Sequence, residues 1–407
     1  MVQIYYLYAN FLALNEHVIQ SITSTILRMN FDLIYERALR LQPLTEDEGV
    51  LLYEQAPTSE LMFVASQIRQ QLHPGNTVTW MIDRNINITN ICISGCKFCN
   101  FHRKISEKGT YTTTFEEYRT KIEEMLQLGG NQLLIQGGMH PGYGLAFYTD
   151  LFSRLKKEFP GVRLHALGPP EIVHIAHKER LSYREVLEQL IESGLESLPG
   201  AGAEILCDRV RKQISPGKAV TAEWLDVMAA AHQLGMVTSA TMMFGHIETL
   251  RERIAHLIYL RELQSKKPAN APGFMAFIPW PIMSVGTELE KLVKMTPVLP
   301  VEYVRTIAIS RIMLTNIPNI QSSWLTVGKE TAQVTLHGGA NDLGSIMIEE
   351  NVVSAAGASF KLSALEMQRT IADAGFEPQL RSQDYNFIDL PPVVEKYSVT
   401  TEHQVKN

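Results

Sequence analysis

Several features that would settle a class at once are missing from this chain of 407 residues. Four cysteines are too few for a fold built on disulfides. No apolar run reaches the roughly 18 to 20 residues that span a bilayer. The apolar first 14 residues contain no Lys or Arg, so the charged leader of a secretory signal is absent. There is no run of five like charges, and 37 basic against 43 acidic residues leave a net charge of −6. Neither a nucleic-acid footprint nor a basic membrane patch follows from that balance. These absences predict a soluble cytoplasmic protein that acts on a small molecule, without a nucleic-acid or membrane partner. What is present is ordinary globular composition, 45% hydrophobic and 20% charged, enough for a large core.

Short apolar runs alternate with longer amphipathic ones. Strands are expected at 77–82, 86–88, 132–136, 163–167, 196–198, 237–243, 274–278 and 319–322. Helices are expected at 115–128, 147–159, 182–193, 222–234, 249–264, 301–314 and 329–336. Strand followed by helix over roughly 270 residues implies parallel βα units. Seven or eight units, with no G-x-G-x-x-G turn after an early strand, favour an α/β fold of the closed (β/α)8 TIM type over an open doubly wound sheet. The expected organisation is an N-terminal extension (1–28), a helical lead-in (29–75), the barrel (76–345), a C-terminal α/β extension packed on it (346–390) with a helix near 363–374, and a polar tail (391–407).

Three of the four cysteines lie within eight residues, as Cys92-x3-Cys96-x2-Cys99, in the loop after the first barrel strand. Loops after barrel strands form the catalytic face. Three thiolates at this spacing suit three irons of a 4Fe–4S cluster and leave the fourth iron open; zinc with His102 as fourth ligand is the alternative. Cys207 is remote and reads as a small buried hydrophobe on a helix. The second strand ends in Gln136-Gly137-Gly138, where paired glycines allow close backbone approach, though a plain turn has the same sequence. Glu171 and Glu204 follow later strands at helix starts, where a carboxylate also serves as a dipole partner. His140, His165 and His246 fall near strand ends, where they serve as proton acceptors or as structural histidines.

The triad after strand one resembles that of the radical S-adenosylmethionine (radical SAM) enzymes. The resemblance implies that Cys92, Cys96 and Cys99 hold a 4Fe–4S cluster whose free iron chelates S-adenosylmethionine. It also implies that Phe98 lies beside the adenine and that Gln136, Gly137 and Gly138 hold the methionine amino group. Glu204 would contact the ribose hydroxyls, and Met243 to Gly245 would flank the adenine.

Within that superfamily, DRNINITNIC at 83–92, LIQGG at 134–138, PPEI at 169–172, AEI at 203–205, ATMMFGH at 240–246, FIPW at 277–280, NIQSSW at 319–324 and EENVVSAAG at 349–357 look like the cyclic dehypoxanthinyl futalosine synthase family of menaquinone biosynthesis. The similarity runs from about residue 30 to 389. It implies a cyclase in which the 5′-deoxyadenosyl radical takes the ribose C4′ hydrogen of dehypoxanthine futalosine and the carbon radical adds to the benzoate ring. Loss of an electron and a proton completes the reaction. His140, Glu171, His246 and Glu248 are the candidate proton acceptors, Arg84 and Arg209 the candidate partners of the benzoate, and a flavodoxin or ferredoxin the electron donor.

The sequence departs from that family at 281–287 (PIMSVGT), at Gly168 and at Ala201. The first of these bears on a substrate loop. Two sister families, aminofutalosine synthase and the deazaflavin (F0) synthase subunits, share the triad and the barrel and are the alternatives. A non-catalytic zinc or iron–sulfur protein is the alternative from another class.

Overall fold

The computed structural model describes residues 28 and 30–391. The expected N-terminal extension and polar tail lie almost wholly outside them. Ten strands are described: β1 (Thr77–Met81), β2 (Asp83–Asn87), β3 (Gln132–Gln136), β4 (Arg163–Ala166), β5 (Ser197–Leu198), β6 (Val237–Phe244), β7 (Gly273–Pro281), β8 (Asn319–Ile320), β9 (Asp342–Ser345) and β10 (Glu377–Leu380).

Strands β2 to β8 form one parallel sheet in sequence order. Only Ile82 separates β1 from β2, and β1 pairs in parallel with β9 on one side and β10 on the other. β9 in turn meets the end of β8. Gln321 bridges Asp342, Ser322 N donates to Asp342 O (2.9 Å), and Asn341 N donates to Ile320 O (3.1 Å). Counting β1 and β2 as one kinked strand, the ring closes through β9 into the expected TIM-type barrel, with β10 added outside it.

Several of the helices between strands begin where the sequence offers capping boxes. Thr114, Ser182, Thr249 and Ser363 each accept from the backbone N–H three residues on, while a Glu at that position reaches back to the cap. The helix Pro169–Glu179 was expected only as a start at Glu171, without a range. It starts on two prolines, which suit the first turn because its N–H groups have no helical acceptor. β9 and β10 were not expected, since Asp-Leu-Gly-Ser and Glu-Pro-Gln-Leu carry no β-branched or aromatic residue. Tertiary pairing holds them.

The lead-in helices Glu46–Gln55 and Thr58–Leu72 pack on the barrel helix Pro300–Met313. There Arg305 donates to the carbonyl of Ala56 (2.8 Å), and Tyr53 Oη meets Thr306 Oγ1 at 2.7 Å. At the opposite end of the chain, the turn after β10 closes the bottom of the barrel. Arg381 pairs with Asp342 through two hydrogen bonds (2.6 and 3.0 Å), Gln132 Nε2 donates to Gln383 Oε1 (3.0 Å), and Arg163 pairs with Asp384 (3.3 Å). These contacts sit at the N-terminal ends of β3 and β4 and on β9, so the barrel has a polar floor.

Candidate active site

A cavity of about 350 Å³ runs inside the barrel from Phe98 and Cys99 at the catalytic face to Arg381 and Tyr385 at the floor. A smaller cavity of about 150 Å³ adjoins it, framed by Cys92, Cys96, Cys99, Gly137, Gly138 and Glu171. The two share Phe98, Cys99, Gln136, Ala201, Gly202, Lys218 and Val352 as walls.

The cysteine loop is fixed by backbone bonds. Cys92 N donates to Arg103 O (3.0 Å), Ile93 N to Met139 O (3.1 Å) and Lys97 N to Ile214 O (2.8 Å). Ser94 Oγ lies between Cys92 Sγ (2.9 Å) and Cys96 Sγ (3.3 Å), and Met139 N donates to Cys92 Sγ (3.3 Å). Burial pushes the Cys96 thiol up to about 11. Burial also acts to raise Cys99, but the hydrogen bonds of His102 outweigh it and leave this thiol below its ordinary value. Among the described residues no three His, Cys, Asp or Glu side chains form a group suited to one metal ion. His102 turns Nδ1 to the carbonyl of Cys99 (2.9 Å). Three thiols spread around a shared cavity fit the larger body of a cluster.

Gly137 and Gly138 serve the cysteine loop directly. A Cβ on Gly138 would stand 2.2 Å from Ile91 O and 2.9 Å from Cys92 Cβ, and one on Gly137 would stand 3.1 Å from Thr89 O. Gly138 N donates to Thr89 O at 2.7 Å. Only glycine lets the end of β3 approach that closely.

Glu204 is buried at φ +46°, a left-handed conformation uncommon for a residue with a side chain. Its carboxylate pairs with Lys218 Nζ at 2.6 Å, and its carbonyl accepts from Met243 N at 3.0 Å. Lys218 also lies 5.3 Å from the centre of the Phe98 ring. The sequence reading missed Lys218. Its only local signal is the Pro216-Gly217 turn before it, where a Cβ on Gly217 would meet Ser94 O at 2.6 Å.

The candidate proton acceptors separate. Glu171 lines the smaller cavity, and burial raises its carboxyl to about 7. His140 lies outside both cavities, stacked on Tyr143 at 3.9 Å and accepting from Gly142 N. His246 is also outside them, its ring 3.0 Å from Glu248 and bonded to Met243 O (3.1 Å). Glu248 is held by Arg253 (2.6 Å) and by Gly245 N (2.6 Å), so that glycine shapes the turn rather than the cavity wall. His140, His246 and Glu248 therefore make local contacts away from both cavities. Met243, by contrast, lines the main cavity.

Other expectations are corrected as well. Arg84 is bonded to Glu124 and Glu349, and Arg209 to Glu252, so neither faces the cavity as a benzoate partner. Cys207 is the N-cap of the helix Asp208–Ile214, half-buried, with its thiol 3.0 Å from Glu252 Oε1. It is not a core residue. The divergent stretch 281–287 lies at the cavity mouth: Met283 lines it, and Val285 O accepts from Asn100 Nδ2 (2.9 Å) of the cysteine loop.

The radical SAM superfamily model matches residues 86–260, and the model for the CofH/MqnC C-terminal region matches 271–394. The chain is 40% identical to the cyclic dehypoxanthine futalosine synthase of Streptomyces coelicolor over 87% of its own length and 88% of that protein's. It is 39% identical to the 5-amino-6-(D-ribitylamino)uracil–L-tyrosine 4-hydroxyphenyl transferase of Archaeoglobus fulgidus, over 81% of this chain and 94% of that one. Among solved structures, methylornithine synthase superposes with a TM-score of 0.66 at 17% identity, covering 86% of this chain and 98% of that one, a likeness of fold. With its cysteine loop, its barrel and these relatives, the chain belongs to the radical SAM superfamily of enzymes, in the group that carries the CofH/MqnC C-terminal region.

Proposed function

We propose that this enzyme is a cyclic dehypoxanthine futalosine synthase, converting dehypoxanthine futalosine to its cyclic product on the route to menaquinone. The observation that carries the reading is the 40% identity to a protein of that name over nearly the whole of both chains. The stretches 277–280 and 349–357, which the sequence reading used to separate this family from its sisters, contribute Trp280, Glu350, Val352 and Ala356 to the cavity wall.

Cys92, Cys96 and Cys99 would hold the 4Fe–4S cluster, and Phe98, Gln136, Gly137, Gly138, Glu204 and Met243 would surround S-adenosylmethionine. When bound, these two groups supply a one-electron cleavage that generates a carbon-centred radical. The protein's part is to orient the substrate and keep water and stray hydrogen donors away. Apolar walls from Leu134, Met275, Ile278 and Leu343 suit the aromatic ring of such a substrate. Lys218 neutralises Glu204 where the two cavities join. The electron donor is a low-potential flavodoxin or ferredoxin, and the enzyme works in the cytoplasm, where thiols stay reduced.

The sister reading makes a different demand on the same pocket. With the reduced, cluster-loaded enzyme, dehypoxanthine futalosine should stimulate 5′-deoxyadenosine formation at least tenfold. L-Tyrosine with 5-amino-6-(D-ribitylamino)uracil should not. The reverse ranking would assign the enzyme to the transferase family.

A further inference from the structure

Joining two carbons that each bear a hydrogen, within one molecule, removes two hydrogens from it. If one leaves as an atom, the other leaves as a proton while one electron passes to a one-electron acceptor of the iron–sulfur class. The C–H bond that breaks gives its electrons to the ring system, and its proton needs a base in contact with the substrate. This demand for a base rests on the cyclase reading above.

The titratable groups that line the main cavity leave few choices. Cys99 belongs to the triad, and Glu204 is bound to Lys218. Glu350 accepts from three backbone N–H groups, those of Val352, Val353 and Ser354, each at 2.8 Å, so both of its oxygens are occupied. Arg381 is bonded to Asp342. Tyr385, beneath Arg381 at 3.9 Å, is held protonated by burial. His165 Nδ1 meets Ser197 Oγ at 2.7 Å, and burial depresses its ring to about 3, so it is a neutral hydrogen-bonding group and a poor base.

Asp83 remains. Its carboxyl lines the cavity, is only 4% exposed, and accepts from Ser345 Oγ at Oδ1, with the Gln132 side chain as a further hydrogen-bonding neighbour. We infer that Asp83 is the catalytic base of this enzyme, taking the C–H proton that the substrate loses on cyclisation. Its own chemistry suits that role, because burial raises the carboxyl to about 6, against the pull of Ser345 and Arg381, and so places it near working pH. The charged group that acts on it is Arg381, which is paired with Asp342, and His165 and Tyr385 are the titratable groups that face that pair.

The test separates the two hydrogens. With substrate deuterated in the ribose, wild-type enzyme should move deuterium into 5′-deoxyadenosine and release cyclic product. Asp83→Asn should keep deuterium transfer within about twofold and lower product at least a hundredfold, the scale of a lost general base. Ser345→Ala, which frees the carboxylate from its hydroxyl, should lower product about tenfold with transfer again retained. Binding is read in the cluster-free protein by quenching of Trp280 and Trp324, which line the cavity, and should be unchanged in both variants.

Wild-type product from Asp83→Asn would overturn the assignment. So would joint loss of binding and deuterium transfer in both variants, because Asp83 would then be a binding group. Wild-type enzyme that binds the substrate yet moves no deuterium would overturn the cyclase reading beneath it.

Discussion

At the cysteine end of the cavity the functional groups come mostly from contiguous sequence: Cys92, Cys96, Phe98 and Cys99 fall within eight residues, and Gln136 to Gly138 are consecutive. At the floor they come from segments far apart in the chain. Asp83 meets Ser345 across 262 positions, and Gln132 meets Gln383 across 251. The first end is a loop whose spacing is itself the chemistry. The second exists only once the C-terminal turn has docked under the barrel, so its polar groups have no meaning along the sequence alone.

The two ends should therefore fail differently. The largest effect belongs to the cysteine end: Cys92→Ala, Cys96→Ala and Cys99→Ala should each abolish S-adenosylmethionine cleavage, at least a thousandfold by 5′-deoxyadenosine yield. Cys207→Ala should stay within twofold, as fits a half-buried thiol hydrogen-bonded to Glu252. Cleavage retained in a triad variant would remove the distinction.

At the floor the expected loss is of stability. Asp342→Ala strands the buried Arg381 guanidinium without its carboxylate and should cost about 3–5 kcal/mol in chemical denaturation. A loss below about 1 kcal/mol would show that the floor is not a structural closure.

A smaller effect is expected where the two cavities join. Glu204→Gln should weaken S-adenosylmethionine binding roughly tenfold, the scale of one charge-assisted hydrogen bond, while iron content is preserved. Unchanged affinity would make Glu204 a partner of Lys218 only.

The smallest effect is a pH slope. His165 titrates at about 3 in the folded protein and near 6.5 when unfolded. As pH falls below 6.5 the unfolded chain takes up a proton that the folded chain refuses. The stabilisation by this neutral histidine is therefore complete above 6.5 and is lost on the way down toward 3. Relative to His165→Gln, the wild type should lose up to about 1.4 kcal/mol per pH unit in that window. Parallel slopes for the two proteins would contradict the buried neutral state.

The same contrast explains what was legible. The barrel followed from the alternation of strands and helices, and three of its helices also start at Ser or Thr followed three residues later by Glu. Cys92, Cys96, Cys99, Gly137, Gly138, Glu171, Glu204 and Met243 lie on the cavity walls, at the C-terminal ends of strands or in the loops that follow them. His140 and His246 meet the same condition but turn away into local contacts, which strand ends do not disclose.

Lys218 escaped notice because its meaning depends on a turn that brings it to Glu204. β9, β10, Arg381 and Asp83 escaped because propensity and spacing carry no information about partners hundreds of residues away. Asp83 stood within the recognised stretch 83–92 and still showed nothing of its role, since its partners Ser345 and Arg381 come from the far end of the chain.

The most direct test of the cyclase reading is the product itself. The cluster is reconstituted anaerobically, reduced, and incubated with S-adenosylmethionine and dehypoxanthine futalosine, with products read by mass spectrometry. The expected result is a species two mass units lighter than the substrate, formed together with 5′-deoxyadenosine. Unaltered substrate beside abundant 5′-deoxyadenosine would keep the radical enzyme and contradict the cyclase.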